Sequence, residues 1–461
     1  MCRLVLGGDA PAALVRYFSS FSLYVKWGKT MKIIKVKRMH SLAQAGFVGG
    51  VLALAAPASQ ADIEMLDGRI ATNIYLTQGI QSVEADSGAF DPANTETEAG
   101  FHRTRVNFTT VIRFTDWLTA TVDLGEESED FGDQFQITND DTFLDVALLR
   151  AIGSPLAERN ALILRFGQPV ITTFNFRGYT DGAAALGNPL IGNSPFDIVT
   201  AEAGVGLYGQ HSLGDGVLQS LGWDFKVSQP TIGEDFSGDR SFNLNATVRL
   251  VFAGGFKLGA GWLHSDGGDQ FEPGPGNFAN ISATDAVIGD GEAYNFPGTF
   301  TGSRDTHAGL LPGISTDLWM VDFEYARDDI FMPVTVRGWL GLGKDDFSFV
   351  DAGGNQTTMR GGAISEVARM ESKILGWGSE GTFYVLPNFA YLAVRYTEVE
   401  NRSNGISGKP QLDRLQLGGG VWLAENVLTK AEYVRQQEER NSPGQIGDDW
   451  DGFVFEIATR F

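Results

Sequence analysis

The chain ends on the stretch Phe453-Val-Phe-Glu-Ile-Ala-Thr-Arg-Phe461, which decides the fold. Its odd-numbered positions carry aromatic or aliphatic side chains, Thr459 excepted, while Glu456 and Arg460 fall on the other face. Apolar and polar side chains that alternate with a period of two predict a half-buried β-strand. The stretch therefore predicts a terminal strand whose apolar face carries the last residue of the chain.

The same alternation recurs upstream of the terminal strand. In residues 242–250 the even positions are apolar and the odd positions polar, and residues 319–325 place Asp322 and Glu324 between aromatic or branched side chains. Aromatic residues such as Trp117 and Trp422 cluster at the predicted strand ends. Girdles of aromatic side chains are typical of strands whose apolar face meets a membrane. The pattern thus predicts an apolar outer face and a polar inner face, the inverse of a soluble sandwich.

About sixteen strands are predicted, and their connections alternate between short and long. Both termini fall on the side of the short turns, so the strand count is even. Because hydrocarbon offers no hydrogen-bond partner, the sheet must close on itself. The predicted fold is all-β: a closed antiparallel transmembrane β-barrel, wide enough to leave a water-filled channel. Its strands are predicted to start near residues 68, 101, 118, 140, 160, 202, 217, 241, 255, 314, 333, 368, 389, 411, 427 and 450.

The N-terminal region has the pattern of an export signal. A basic stretch that includes Lys32 and Arg38 follows Met31, and an apolar run over residues 43–56 precedes small residues up to Ala61. This order predicts a secretory signal peptide with cleavage after Ala61. The alternative is an uncleaved membrane anchor. The predicted domains are an upstream extension over residues 1–30, a signal peptide over 31–61 and the barrel over 62–461.

Composition excludes several classes of function. The chain has 57 Asp and Glu against 35 Lys and Arg, a formal net charge of −22, so binding to nucleic acid is not expected. A single cysteine, Cys2, allows no disulfide framework. The few histidines have no metal-ligand spacing, and no catalytic constellation stands out. We therefore expect neither an enzyme nor a bound cofactor or metal.

The long connection after the fifth strand, residues 169–201, is the main candidate for a pore constriction. It contains several apolar side chains, which a loop folded into the lumen would pack against the wall, although an ordinary surface loop is the alternative. Its charged residues are predicted to face two arginines of the second strand across the channel. Charges arranged around a pore in this way select ions. The predicted constriction residues are Arg103, Arg105, Arg177, Asp181 and Asp197. Further basic residues predicted to face inward are Arg69, Arg165, Arg369, Lys373, Arg395 and Arg414.

The chain from residue 62 onward resembles the trimeric porins of Gram-negative bacteria. The resemblance rests on the signal peptide, the sixteen strands, the loop after strand five and the terminal strand ending in Phe461. It implies a homotrimer among outer-membrane lipid and lipopolysaccharide, with Phe461 as part of the barrel-assembly signal. Two motifs, Arg103-Thr-Arg105 and Leu164-Arg-Phe-Gly-Gln168, are similar to those of phosphate-selective porins. The resemblance implies a channel lined with many basic residues, whereas this chain is strongly acidic.

The expected function is an outer-membrane porin for passive diffusion of small hydrophilic solutes and ions. The excess of acidic residues favours a weak preference for cations. The alternative is a barrel that binds partners at the surface as an adhesin, or associates with lipid, without forming an open channel. The connection over residues 266–313 keeps this alternative open because it is long enough to form a binding surface.

Overall fold

The computed structural model describes residues 22–27, 30–35, 62–66, 68–85, 96–127, 138–167, 186–191, 204–228, 242–266, 270–271, 315–349, 369–402, 411–438 and 450–461. The chain divides into two units, Met1–Pro57 and Ala58–Phe461. In the first unit, the strands Ser22–Trp27 and Thr30–Lys35 pair as an antiparallel hairpin. Residues 36–61 of the predicted signal peptide lie outside the described residues. The signal peptide therefore stays a prediction.

The second unit is a closed barrel of sixteen long antiparallel strands. In chain order these are β1 (Ile70–Ala85), β2 (Glu96–Arg113), β3 (Leu118–Glu127), β4 (Thr138–Ala147), β5 (Asn160–Gly167), β6 (Gly204–Ser212), β7 (Leu218–Ser228), β8 (Phe242–Phe252), β9 (Phe256–Asp266), β10 (Ser315–Arg327), β11 (Val334–Phe349), β12 (Arg369–Leu386), β13 (Ala390–Asn401), β14 (Gln411–Ala424), β15 (Val427–Glu438) and β16 (Trp450–Arg460). The predicted fold class is confirmed.

The terminal strand closes the barrel. β16 pairs with β1 along its length, from Trp450 opposite Ala85 to Arg460 opposite Tyr75. Beyond that point, the backbone of Phe461 exchanges two hydrogen bonds with Ile74, at 2.9 and 2.8 Å. No edge of the sheet is left open at this seam, which is the condition for a sheet to cross a membrane.

The two faces of the barrel wall differ in polarity as the sequence predicts. On β7, Phe225 and Val227 point outward and are exposed, whereas Asp224, Lys226 and Ser228 point inward and are buried. Strand β8 repeats the arrangement, whereas the inward face of β10 carries the buried Leu318 and Met320 beside Asp322. An apolar outer face meets hydrocarbon without cost, while polar groups on the inner face are satisfied by each other and by water.

Most predicted strand starts are accurate. Fifteen of the sixteen lie within two residues of the observed positions. The exception is β2, which begins at Glu96 and pairs with the outer end of β1, where Ala85 faces Glu96. Residues Glu96–Gly100 have no apolar alternation in the sequence, so a period of two does not identify them as strand.

The connection between β4 and β5 is more structured than predicted. It contains a helical turn, Leu148–Ala151, and a 3-10 turn, Pro155–Glu158. The Ser154 hydroxyl caps the second turn by accepting from the backbone N–H of Leu156 at 3.3 Å. No helix in the described part of the chain is long and apolar enough to cross a membrane.

The closed sheet, the even number of strands and the outward apolar face together define a Gram-negative outer-membrane barrel. The short connections that follow β2, β6, β8, β10, β12 and β14 lie at the same end as the chain's C-terminus. In barrels of this type, that end is periplasmic. The other end therefore faces the exterior.

Candidate functional site

A line of alternating charges crosses the inner wall from β9 to β11. Lys257 Nζ donates to Glu324 Oε1 at 2.7 Å, and Arg337 Nε donates to Glu324 Oε2 at 2.8 Å. Glu324 faces Lys257 on one neighbouring strand and Arg337 on the other. Opposite charges at facing positions stabilise an antiparallel sheet.

The line continues upward through β12 to β13. Arg337 Nη1 donates to Glu380 Oε1 at 2.9 Å, and Arg395 Nη2 donates to Glu380 Oε2 at 2.6 Å. Exposure falls along the line, from 54% for the Lys257 side chain near the periplasmic turn to 0% for Arg395. We call these residues the charge ladder: Lys257, Glu324, Arg337, Glu380 and Arg395.

The upper end of the ladder meets residues 186–191, which belong to the long connection after β5. Asn188 Oδ1 accepts from Arg395 Nη2 at 2.9 Å. The backbone N–H of Ile191 donates to Glu432 Oε2 at 2.5 Å. Both partners are inward-facing wall residues, so residues 186–191 lie inside the barrel. We call residues 186–191 the anchor segment.

Leu190 fixes the anchor segment by packing as well as by hydrogen bonding. Its side chain is buried against Tyr391, Ala393 and Leu428 of the inner wall. Its carbonyl oxygen accepts from Lys430 Nζ at 3.2 Å. An apolar patch of the inner wall thus receives the apolar residue of the segment.

Gly418 on β14 makes room for this contact. A Cβ atom at that position would lie 2.9 Å from Leu190 Cδ2 and 2.7 Å from the carbonyl oxygen of Ala431. Any larger side chain would therefore displace Leu190 from the wall. The glycine allows close approach between the wall and the anchor segment.

The anchor segment contacts the wall far from the strands that flank it in sequence. The chain leaves the wall at Gly167 and returns to it at Gly204, on the adjacent strands β5 and β6. The contacts lie on β13 to β15. Strand β13 is eight strands from β5 in a barrel of sixteen, which places the contact across the lumen. The predicted inward-folded loop after strand five is confirmed for these residues.

A second polar cluster lies on the wall formed by β4 to β6. Arg165 forms a bidentate pair with Asp145, with Nε and Nη2 donating at 2.6 and 2.7 Å. Its guanidinium carbon lies 3.6 Å from the ring centroid of Phe143 and 4.9 Å from that of Tyr208. Gly206 makes room for the Tyr208 ring, which would lie 2.7 Å from a Cβ atom there. Stacking between two rings fixes the guanidinium plane.

The cluster continues on β7 and β8 around a buried carboxylate. Asp224 accepts from Thr247 Oγ1 at 2.5 Å and pairs with Arg249 at 3.4 Å and Lys226 at 3.5 Å. Lys226 Nζ also lies 5.2 Å from the centroid of the Tyr208 ring. The Arg249 side chain is 43% exposed. We call the following residues the aromatic cluster: Phe143, Asp145, Arg165, Tyr208, Asp224, Lys226, Thr247 and Arg249.

The predicted constriction residues fall on parts of the chain that the structure describes incompletely. Arg105 lies on β2 opposite Thr77 of β1 and Glu127 of β3. Arg103 lies on the same strand, where the pairing with β1 shifts register. The side chains of both arginines, and the whole of Arg177, Asp181 and Asp197, lie outside the described residues.

Three of the six further basic residues predicted to face inward do so. These are Arg165, Arg395 and Arg414. The prediction for Lys373 is wrong, because it shares the outward face of β12 with Leu375 and the exposed Trp377. Arg69 precedes β1 in an exposed turn, and the side chain of Arg369 lies outside the described residues.

Sequence reasoning missed most of the residues that hold the anchor segment. Glu380, Lys430 and Glu432 were not singled out, and neither was Glu456, whose Oε1 lies 2.6 Å from Lys430 Nζ. The available signal was a charged residue at an inward position of an alternating strand. In the part of the chain that is described, no group of three His, Cys, Asp or Glu side chains is placed to hold a metal ion.

Comparison with solved structures finds outer-membrane proteins. Salmonella typhi OmpF, in complex with daunomycin, aligns with 87% of this chain and 100% of its own, at 13% identity and a TM-score of 0.49. The outer-membrane channel DcaP of Acinetobacter baumannii aligns over the same shares, at 11% identity and a TM-score of 0.48. An anion-selective porin from Comamonas acidovorans aligns with 85% of this chain and 99% of its own, at 11% identity and 0.44. No protein-family model and no curated protein sequence matches the chain.

Proposed function

We propose that this chain is a porin, a water-filled channel for passive diffusion of small hydrophilic solutes and ions. The observation that carries the proposal is the anchor segment, which contacts the inner wall across the lumen from β5 and β6. A barrel of sixteen strands is too wide for its own side chains to fill. A segment fastened across such a lumen narrows the channel without sealing the barrel.

Passage through this channel is limited by size and tuned by charge. The charge ladder pairs its two carboxylates with three cations, which leaves a net charge of only +1. We propose that the field at the constriction comes from Arg103 and Arg105 on one side and from Arg177, Asp181 and Asp197 on the other. Support comes from chain position: Asp181 precedes the anchor segment by five residues, and Asp197 follows it by six.

Planar bilayer recordings on the purified full chain test the channel. We expect stepwise increases in conductance as single barrels insert. A correctly folded protein that inserts and stays silent would refute the proposal. In a salt gradient, we expect reversal potentials that indicate a weak cation preference, because the chain is acidic. A clear anion preference would contradict that part.

Charge variants test the proposed constriction. Replacing Asp181 and Asp197 together by asparagine should shift the reversal potential toward anions, because two negative charges leave the narrowest region. The matched control is Asp215→Asn, in the exposed turn between β6 and β7. Equal reversal potentials for the double variant and the control would remove these residues from the constriction.

We also propose that the mature protein begins at Asp62 and assembles as a homotrimer among outer-membrane lipid and lipopolysaccharide. The support is the signal-like sequence over residues 31–61 and the resemblance to trimeric porins. N-terminal sequencing of protein from outer membranes should give Asp-Ile-Glu-Met. Mass measurement of the detergent-solubilised protein should give three chains, and a single chain would contradict the trimer.

A further inference from the structure

A cavity of about 720 Å³ lies at the periplasmic end of the inner wall. Its lining comes from the short connections that follow β8, β10 and β12 and from the strand residues beside them. The members that belong to the inner wall are Ala326, Thr335 and Tyr384. Small-molecule sites in proteins commonly enclose about 300–1,000 Å³, so the cavity has the size of a binding site.

The cavity lies directly below the charge ladder and the anchor segment. Ala326 follows Glu324 by two residues on β10. Thr335 precedes Arg337 by two residues on β11. Residues two apart on a strand share a face and are separated by about 7 Å. Tyr384 packs against the apolar cluster that holds the anchor segment. A solute that passes the anchor segment toward the periplasm therefore meets the cavity next.

Backbone hydrogen bonds hold the three connections around the cavity together. The Ala326 N–H donates to the carbonyl oxygen of Gly255 at 2.9 Å, and the Tyr384 N–H donates to that of Pro333 at 3.0 Å. Asn388, in the third connection, has a φ of 61°. Asn adopts this left-handed conformation more readily than most residues. The walls of the cavity are therefore set by the fold, and a rigid site lowers the entropy that is lost when a ligand binds.

The neutral polar side chains of the lining are available to a ligand. The hydroxyls of Thr335 and Tyr384 and the side-chain amide of Asn388 form no hydrogen bond with any residue that the structure describes. Each of these three groups can both donate and accept a hydrogen bond. They therefore suit a ligand whose own groups do the same.

The charged side chains of the lining do not favour an anion. Arg327 donates two hydrogen bonds to Asp329, which engages its charge. Asp328 is exposed and forms no ion pair within the described part of the chain. An exposed single charge is screened by water and salt, so the three neutral groups dominate recognition.

We propose that the cavity is a binding subsite at the periplasmic exit of the channel, for a neutral polyhydroxylated solute of one or two sugar rings. The inference rests on the proposed channel function. Sugar hydroxyls both donate and accept, as do the groups of Thr335, Tyr384 and Asn388. The Tyr384 ring offers an apolar face to the C–H groups of a sugar ring. The Asp328 carboxylate accepts from a further hydroxyl.

Saturation-transfer NMR on the detergent-solubilised full chain tests the subsite. The probes are glucose and cellobiose, with glucosamine and gluconate as the cationic and anionic counterparts of glucose. We expect saturable binding of both sugars. Thr335→Val removes a hydroxyl and keeps the shape of the side chain, so it should weaken sugar binding about fivefold, the loss of one hydrogen bond. Asn388→Gly removes the amide, keeps the left-handed backbone accessible, and should weaken binding by a similar factor.

The matched control is Thr119→Val. Thr119 is the second residue of β3, as Thr335 is of β11, and it lies opposite the inward-facing Asp145 of β4. Because β3 and β11 are eight strands apart in a barrel of sixteen, the control removes the same hydroxyl at the same depth on the opposite wall. It should bind both sugars as the parent protein does. Equal sugar binding by Thr335→Val and by the control would overturn the proposal. So would tighter binding of glucosamine or gluconate than of glucose, because charge would then govern the site.

Conductance of the same preparations separates this subsite from the proposed channel. A barrel that conducts but binds neither sugar refutes the subsite alone. A barrel that binds both sugars, with the expected losses in the variants, but is silent in bilayers refutes the channel alone.

Discussion

Arg395 of the charge ladder and Arg249 of the aromatic cluster both lie on the inner wall and both pair with a buried carboxylate, but the two arginines differ in burial. At the upper end of the ladder, Arg395 and Glu380 are 0% and 1% exposed beneath the anchor segment. In the aromatic cluster, Arg249 keeps 43% of its side chain exposed although it pairs with the buried Asp224. The upper end of the ladder therefore serves to hold the anchor segment, whereas Arg249 presents charge to the lumen.

This difference indicates that pairing alone does not define the role of a lumen charge. A buried pair costs much to break, because the remaining charge is left without water or partner. An exposed pair costs little, because water replaces the lost partner. Substitutions in charge pairs that have similar distances but different burial should therefore separate structural charges from charges that act on permeating ions.

The largest effect is expected at the top of the ladder. Arg395→Met removes the cation from Glu380, which accepts from it at 2.6 Å, and from Asn188 of the anchor segment. Removing one partner of a buried pair costs roughly 3–5 kcal/mol when the other charge is left uncompensated. Because Glu380 keeps Arg337 at 2.9 Å, we expect a loss of stability at or below the lower end of that range. Unfolding of the detergent-solubilised barrel in denaturant, followed by circular dichroism, measures it.

Arg402→Met is the control for this variant. Arg402 donates to Glu400 at the same distance of 2.6 Å, but its side chain is 41% exposed. The control should have nearly the same midpoint of unfolding, in denaturant concentration, as the parent protein. Equal losses of stability in the two variants would show that burial does not distinguish the ladder from the surface.

A smaller effect is expected when the anchor segment loses one contact. Glu432→Ala removes the acceptor of the Ile191 N–H and of Gln416 Nε2. A hydrogen bond to a charged group contributes about 1.5–3 kcal/mol, so the segment should detach for a measurable fraction of time while the barrel stays folded. Single-channel recordings should then register higher mean conductance with more open-channel noise. Unchanged conductance would mean that the segment does not narrow the pore.

Much of the fold could be predicted from the sequence because lipid imposes a strict rule on each strand. One face must be apolar along the membrane-spanning length, so a period of two identifies the strands and the turns bound them. The rule fails where a strand extends beyond its apolar stretch. It missed the first residues of β2, from Glu96, and it placed Lys373 on the wrong face, because Arg369-Met-Glu-Ser-Lys373 has no apolar alternation.

The site was less predictable because its contacts depend on register between distant strands. Arg337 and Glu380 are 43 residues apart, and Asn188 and Arg395 are 207 apart. A lone sequence gives the inward direction of Arg395 but not its partner. The apolar character of residues 169–201 did predict an inward loop, since Leu190 needs a surface to pack against.

A change in selectivity rather than stability is expected in the aromatic cluster. Arg249→Gln removes an exposed positive charge, while Asp224 keeps Thr247 and Lys226. Stability should fall by less than about 1 kcal/mol, because the pair is half exposed. The reversal potential in a salt gradient should shift toward cations. A large fall in stability with no shift in reversal potential would assign Arg249 to the structural class with Arg395.

The smallest effect is expected in the short periplasmic turn between β10 and β11. Asp329 accepts two hydrogen bonds from Arg327, at 2.5 and 2.8 Å, a geometry as close as any in the ladder, but its side chain is 63% exposed. The hydrogen bond from Arg327 holds the pKa of Asp329 below its usual value. The pair is therefore formed at neutral pH and is lost only as the pH falls through that lowered pKa, but because both side chains are exposed its contribution to stability is too small to measure as a shift in melting temperature. Asp329→Asn should leave the melting temperature at neutral pH unchanged within error. A fall comparable to that of Arg395→Met would mean that distance, and not burial, governs the charges of this barrel.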